Sequence, residues 1–237
     1  GVGVNSPQEA LDIRGNMHFN RVSNVSQISV DSNVVTEYTG PHDRPLRKYP
    51  EVAMTADAET ASGYKGYKVT ASDDVDNNSN LDKFRAFNGI TGNEGWASDG
   101  NKYTFGTGVA NVGGDSLGNV EGQWLKLQLP LKIKLSHIKL TTRDISSTAY
   151  PKDFQILGSN DDSNWTQLIN VIDAPYTQHL TLTHHVTGTV DSFQYLAVVV
   201  TKTYGATGVD ISELEYYGHE EGSGSLDTTL KSVYNVP

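Results

Sequence analysis

From residue 51 onward, apolar residues alternate with polar ones in short runs, and Gly, Asn, Asp, Ser and Thr fill the stretches between them. Gln123-Trp124-Leu125-Lys126-Leu127-Gln128-Leu129 places Leu125, Leu127 and Leu129 on one face of a strand. Ile133-Lys134-Leu135 and Ile138-Lys139-Leu140 continue the alternation, but the phase slips by one between Leu135 and Ile138, so a turn or bulge is expected there. Residues 64–71, 154–157, 165–172, 179–186, 193–200 and 211–217 read as further strands. Phe193 to Val200 is apolar almost throughout, as a central strand should be. Gly158-Ser159-Asn160-Asp161-Asp162 is a strong turn signal. No window carries a convincing 3.6-residue period. The expected fold class is therefore all-β, an antiparallel β-sandwich or jelly roll.

The first fifty residues differ. Val4, Leu11, Ile13, Met17 and Phe19 are too sparse to close a core, and Val25, Ile28, Val30 and Val34 stand among Ser, Asn and Asp. Such positions need other chains or a following domain for burial. Val2-Gly3-Val4-Asn5-Ser6-Pro7 and Leu11-Asp12-Ile13-Arg14-Gly15-Asn16 resemble the short shaft repeat of phage and viral tail fibres and trimeric adhesins, with Asn5 in place of the second Gly. That resemblance implies a short, β-rich trimeric stalk and a homotrimer. Pro41, Pro45 and Pro50 mark a stiff linker. The expected organisation is a stalk and linker over 1–50, a sandwich over 51–219, and a Gly/Ser linker over 220–237 that begins a following module. On this reading the chain is a fragment of a longer protein.

Composition narrows the partners. Eighteen Lys and Arg against 28 Asp and Glu give a formal charge of −10, and residues 1–50 hold five of each sign, so the whole excess lies in 51–237. An acidic body repels phosphate backbones and anionic lipid, which argues against nucleic acid and against membrane docking. No run of 18 apolar residues exists, so no membrane insertion is expected. With no Cys there is no disulfide and no thiolate, which suggests assembly in a reducing compartment.

Four pieces in order resemble the discoidin, or coagulation-factor C-type, domain, a fold shared with family-32 carbohydrate-binding modules. They are Ala86-Phe87-Asn88-Gly89 with Trp96 after it, Gln123 to Leu127, Phe154 to Trp165, and Ile211-Ser212-Glu213-Leu214-Glu215-Tyr216-Tyr217-Gly218. The resemblance covers about 51–219 and implies a discoidin-like jelly roll. It also implies a structural calcium held by Phe87, Asn88, Thr91 and Glu213. Asn88 stands where the family often has Asp, and an amide oxygen ligates without bringing charge, so affinity should drop. The alternative is a loop closed by Asn hydrogen bonds without metal. A sugar site needs an aromatic face and a few polar groups. In this family such sites lie in loops at one end of the sandwich, which makes Tyr103, Arg143, Asp144, Tyr150 and Tyr204 the candidates, and the bland alternative is a surface ion pair with scattered tyrosines. Trp96, Trp124 and Trp165 read as core anchors.

Other motifs fail on context. Gly114-Asp115-Ser116-Leu117-Gly118 spells a nucleophile elbow but lacks the strand before and the helix after. Asp74 to Asn78 starts like an EF-hand loop, yet Ser79 and Arg85 stand at its Gly and Glu positions. His184 and His185 are adjacent, so on a strand they face opposite ways and cannot clamp a metal as a pair. No carboxylate pair is placed for catalysis, and no enzyme activity is expected. The reading is a carbohydrate-binding head of a viral or phage fibre, on a virion surface or extracellular, recognising cell-surface carbohydrate. The alternatives are a structural capsid or fibre module that recognises nothing, a lipid- or protein-binding module, and the accessory domain of a glycosidase.

Overall fold

The structure, a computed structural model, describes residues 46–59, 66–75, 80–145, 147–188 and 191–221, together with the backbone of 27–29 and 35–37. Pro45–Glu221 forms one compact unit, distinct from the remainder of the chain. In that remainder, β1 (Gln27–Ser29) and β2 (Val35–Glu37) form an antiparallel ladder. The shaft repeat, the homotrimer and the following module were expected from residues that lie outside the described ones.

The larger unit holds β3 (Arg47–Tyr49), β4 (Ala58–Glu59), β5 (Tyr67–Ala71), a 3-10 turn at Lys83–Phe87, β6 (Trp96–Ala97), β7 (Ser116–Leu117) and β8 (Val120–Glu121). After these come β9 (Gln123–Thr141), β10 (Pro151–Ser159), β11 (Thr166–Val171), β12 (Thr181–His185), β13 (Ser192–Thr203), β14 (Asp210–Ile211) and β15 (Glu213–Glu220). Every pairing is antiparallel.

The long strand β9 organises the architecture. Its first half, Gln123 to Gln128, pairs with β13 on one side and, from Leu125, with β5 on the other. Its second half, up to Thr141, pairs with β15 and, from His137, with β12. β9 thereby divides one nine-stranded sheet into two arms, β11-β10-β13-β9-β5-β4 and β12-β9-β15-β3, which act as a first and a second sheet around the core. The alternation then puts Leu125, Leu127 and Leu129 from the first sheet and Ile133, Leu135, Ile138 and Leu140 from the second into one buried cluster. Phe154, Ile156, Leu196, Val198, Val200, Leu214 and Tyr216 complete it. This is the all-β antiparallel sandwich that the alternation predicts.

The phase slip is a bulge. Tyr217 pairs with His137 but Gly218 with Leu135, so Ser136 is the extra residue, and β9 runs on through it without a turn. Two departures have simple causes. The 3-10 turn is too short to show a period, although it buries Ala86 and Phe87. Trp96 is a core anchor, fully buried, but Trp124 and Trp165 are not. They are half-buried and pack in a separate cluster with Leu117, Leu157, Ala197 and Val199. Trp124 falls on the odd side of the Leu125 alternation and so faces away from the main core.

Candidate ligand-binding loops and cation loop

Five loops meet through hydrogen bonds that begin at strand ends. Arg143, just past β9, donates from Nε and Nη2 to the carbonyl of Asn93 at 3.0 and 2.8 Å. The Asp144 amide donates to Gly92, and Gln178 donates to the Asp144 carboxylate at 2.9 Å. The His179 amide returns to the Arg143 carbonyl. Ala206 and Asp210 donate their amides to Thr148 and Ala149. Gly108 holds the 104–108 loop against β13: its φ is +68°, and a Cβ there would stand 2.2 Å from the Thr203 carbonyl oxygen.

The expected sugar contacts are separated by this arrangement. Tyr103 is 2% exposed, and its hydroxyl donates to the Val200 carbonyl and accepts from the Gln123 amide. Its ring belongs to the core and offers no face to a ligand. Tyr150 is likewise buried, with its hydroxyl on the Ile145 carbonyl. Tyr103 is held inward by its bridge to Ala110, and Tyr150 by its place immediately before β10. Phe105 lies in the tight turn closed by the Thr104 amide on Val109 and the Gly108 amide on Thr104, and there it stands 82% exposed; Val109 and Val112 further along the loop are exposed as well. Phe105 was missed by sequence reasoning, although Phe105-Gly106-Thr107-Gly108 carries the glycines of a tight turn, which breaks the alternation that would have turned it inward with Tyr103. Tyr204 is half-buried, donates its hydroxyl to Ala174, and lies under the Lys152 ammonium at 5.2 Å from the ring centre. Asp144 is exposed.

Arg143 serves the loops more than the solvent. Its side chain is only 14% exposed, and Nη1 lies 3.8 Å from Asp210, whose side chain is 5% exposed. Asp210 is a second residue that the sequence did not single out. Burial pushes its carboxyl up to about 6, against the pull of Arg143 and the Ser147 hydroxyl.

The proposed metal residues sit around the turn after Phe87. Glu213, on β15, is 5% exposed, and both carboxylate oxygens accept from the Gly89 amide at 3.1 and 3.2 Å. Burial pushes this carboxyl up to about 9, only partly offset by the Gly89 and Asn88 amides. Glu213 makes no ion pair among the described residues, and the distant pull of Lys48 is opposed by Glu215, so a buried carboxylate here lacks a close countercharge. A hard cation supplies one, and oxygen donors are its preferred ligands. Asn88 Oδ1 accepts from Ile90 at 2.8 Å, while Asn88 Nδ2 donates to Glu94 at 3.0 Å. The amide oxygen keeps a second lone pair. The Phe87 carbonyl already accepts from Met54, and Thr91 lies exposed with its hydroxyl 3.4 Å from His179 Nε2. Glu213 and Asn88 thus fit a cation, Phe87 has one lone pair remaining, and Thr91 contributes only if its loop adjusts. Among the described residues there is no group of three or more His, Cys, Asp and Glu side chains, so any site here depends on carbonyl oxygens.

Two packed antiparallel layers joined by long loops at the strand ends define a β-sandwich. The family model of the F5/8 type C domain matches residues 68–214, more than half of the chain, and the chain belongs to that family. The family is one of non-catalytic modules. Among solved structures, the chain is similar to the family 32 carbohydrate-binding module of Clostridium perfringens NanJ, in complex with galactose. There the identity is 16% and the TM-score 0.47, covering 64% of this chain and 93% of that one. It is similar to chitosan-binding module 1 of a chitosanase/glucanase from Paenibacillus sp. IK-5, with 22% identity, a TM-score of 0.46, and coverage of 64% and 94%. It is also similar to a fucolectin from striped bass (Morone saxatilis) serum, with 13% identity, a TM-score of 0.49, and coverage of 65% and 47%. No curated protein matches the sequence.

Proposed function

We propose that the sandwich is a carbohydrate-binding head whose contact surface is the loop cluster around Phe105. Family membership supports a binding role, and the observation that carries the reading is the 82% exposed Phe105 ring on a loop pinned by Gly108. An aromatic face takes the C–H side of a pyranose, and nearby polar groups take its hydroxyls. Asp144 and Tyr204 stay in the proposal as rim residues, while Arg143 acts by holding the loops. A glycan array run with the full chain and with Phe105→Ala tests it. Binding to defined glycans that falls at least tenfold in the variant, with an unchanged melting midpoint, is the expected result. Absence of any glycan binding, or equal binding by the variant, would overturn it.

The finer reading is a viral or phage fibre head at a virion surface or in an extracellular adhesin, directed at host cell-surface carbohydrate. Its support is the resemblance of Val2 to Asn16 to a shaft repeat. It includes a homotrimer, in which three weak sites act together, and sedimentation of the full chain checks that assembly. It also includes a stalk and linker over 1–50, a head over 51–219 and a linker over 220–237. Calcium belongs to the proposal as a structural ion at Glu213 and Asn88, pinning the turn after Phe87 to β15. When bound it supplies positive charge to a buried carboxylate and takes no part in a reaction.

A further inference from the structure

The outer face of the second sheet carries a group of side chains that the sugar reading leaves unused. Across β12, β9 and β15 the register places His185 opposite His137 and His137 opposite Tyr217, with Lys48 of β3 next in the row. All four share a face, because residues paired directly across strands project to the same side. The next row is Thr183, Lys139 and Glu215. His184 points the other way, against Phe154 and Tyr176. The partner that His185 cannot find next to it in sequence is supplied by the neighbouring strand.

We propose that His137 and His185 form a cross-strand site for a divalent first-row transition ion of the imidazole-preferring kind, Ni2+, Cu2+ or Zn2+. Their ring centres lie 5.1 Å apart. A nitrogen at about 2.0–2.1 Å from such an ion puts its ring centre about 3.2 Å away, and two rings at a tetrahedral angle then have centres about 5.2 Å apart. The observed spacing of ring centres matches that expected for two imidazoles sharing one ion. His137 is also oriented: its ring stacks on Tyr217 at 4.5 Å and 7°, and Nδ1 lies 3.2 Å from Ser136 Oγ, which leaves Nε2 for the ion. His185 is exposed, so water can complete the coordination.

The charged neighbours on the face are committed elsewhere. Lys139 lies over the Tyr217 ring at 5.1 Å, Lys48 pairs with Glu215 at 3.4 Å, and Tyr217 donates to Glu215. Burial, His185 and Lys139 hold the His137 imidazole below its ordinary value, with Glu215 opposing. Two imidazoles without thiolate, with the nearby Glu215 engaged by Lys48 and Tyr217, rank the ions by the usual divalent order, with copper first, and disfavour calcium.

Isothermal titration of the full chain with Ni2+ and with Zn2+ at pH 7.5, in buffer free of chelating groups, tests the site. One equivalent should bind to the parent chain. His137→Gln and His185→Gln should each weaken binding at least tenfold, whereas His179→Gln should leave it unchanged. Melting without metal checks that the variants remain folded, and Ni2+ should raise the midpoint of the parent chain but not of the two site variants. A parent chain that takes up no ion overturns the proposal, as does binding by the site variants equal to the parent's. The result is independent of glycan binding, which uses other residues.

Discussion

Asp210 and Glu213 lie three positions apart on β14 and β15, and both carboxyls are buried, but their surroundings differ. Asp210 faces a guanidinium carried by the same domain, Arg143 at 3.8 Å, with the Ser147 hydroxyl at 3.4 Å. Glu213 hydrogen-bonds to backbone amides and has no ion-pair partner among the described residues, with Lys48 and Glu215 acting on it at longer range and in opposite directions. Accordingly, burial raises the first carboxyl to about 6 and the second to about 9. A built-in cation stabilises one loop junction without outside help, whereas the other junction needs a proton or an added ion. The contrast separates a permanent joint from a conditional one.

The largest expected effect comes from breaking the permanent joint. Arg143→Met removes the countercharge of Asp210 and two hydrogen bonds to Asn93. Removing one partner of a buried pair costs about 3–5 kcal/mol. The length of the pair puts this one at the low end, about 3 kcal/mol or about 6–12 °C of melting midpoint. Arg143→Met combined with Asp210→Asn should recover at least half of the loss. A midpoint of the single variant within about 2 °C of the parent's would show that the pair does not hold the loops.

Next in size is the response of the conditional joint to calcium. Millimolar Ca2+ should raise the midpoint of the parent chain by several degrees over chelator, and Glu213→Gln should remove that response while raising the midpoint in chelator. Equal midpoints with ion and with chelator would remove the ion from the account. Both acids have folded values above their ordinary ones, so in chelator their stability is fully present below about pH 4 and is lost as pH rises through about 6 and then about 9. Between pH 5 and 9 the midpoint in chelator should therefore fall. Calcium should flatten the upper part of the fall, because it takes over the role of the Glu213 proton. Asp210→Asn should flatten the lower part.

These residues also show what a sequence can reveal. The Leu125-Leu127-Leu129 alternation and the slip before Ile138 were legible because a strand's period is local. Glu213 was legible through resemblance to a family. The partnership of Asp210 with Arg143 was not, because 67 residues separate the two and nothing local marks an acid as buried. Tyr103 was a candidate sugar contact because it sits in a long loop at the family's site, but that loop folds back on itself at Tyr103–Ala110 and onto β13 at Val109–Lys202, which buries the ring. The facing of His137 and His185 depends on register between β9 and β12, which no single segment encodes.

The smallest expected effect sharpens the comparison most. Asn88→Asp places a second carboxylate beside Glu213, whose oxygens already lie on the Gly89 amide. It also replaces the Asn88 Nδ2 bond to Glu94 with a like-charge approach, eased by the Arg85 pair to Glu94. In chelator the variant should lose ~1 kcal/mol, or about 2–4 °C. In calcium the added charge should tighten the ion about tenfold, worth ~1.4 kcal/mol. The two effects have opposite signs, so the variant should melt below the parent in chelator and level with it or above it in saturating calcium. A variant that melts below the parent by the same margin in both conditions would mean that Asn88 closes the loop by hydrogen bonding alone, and that Glu213 is paired with its proton.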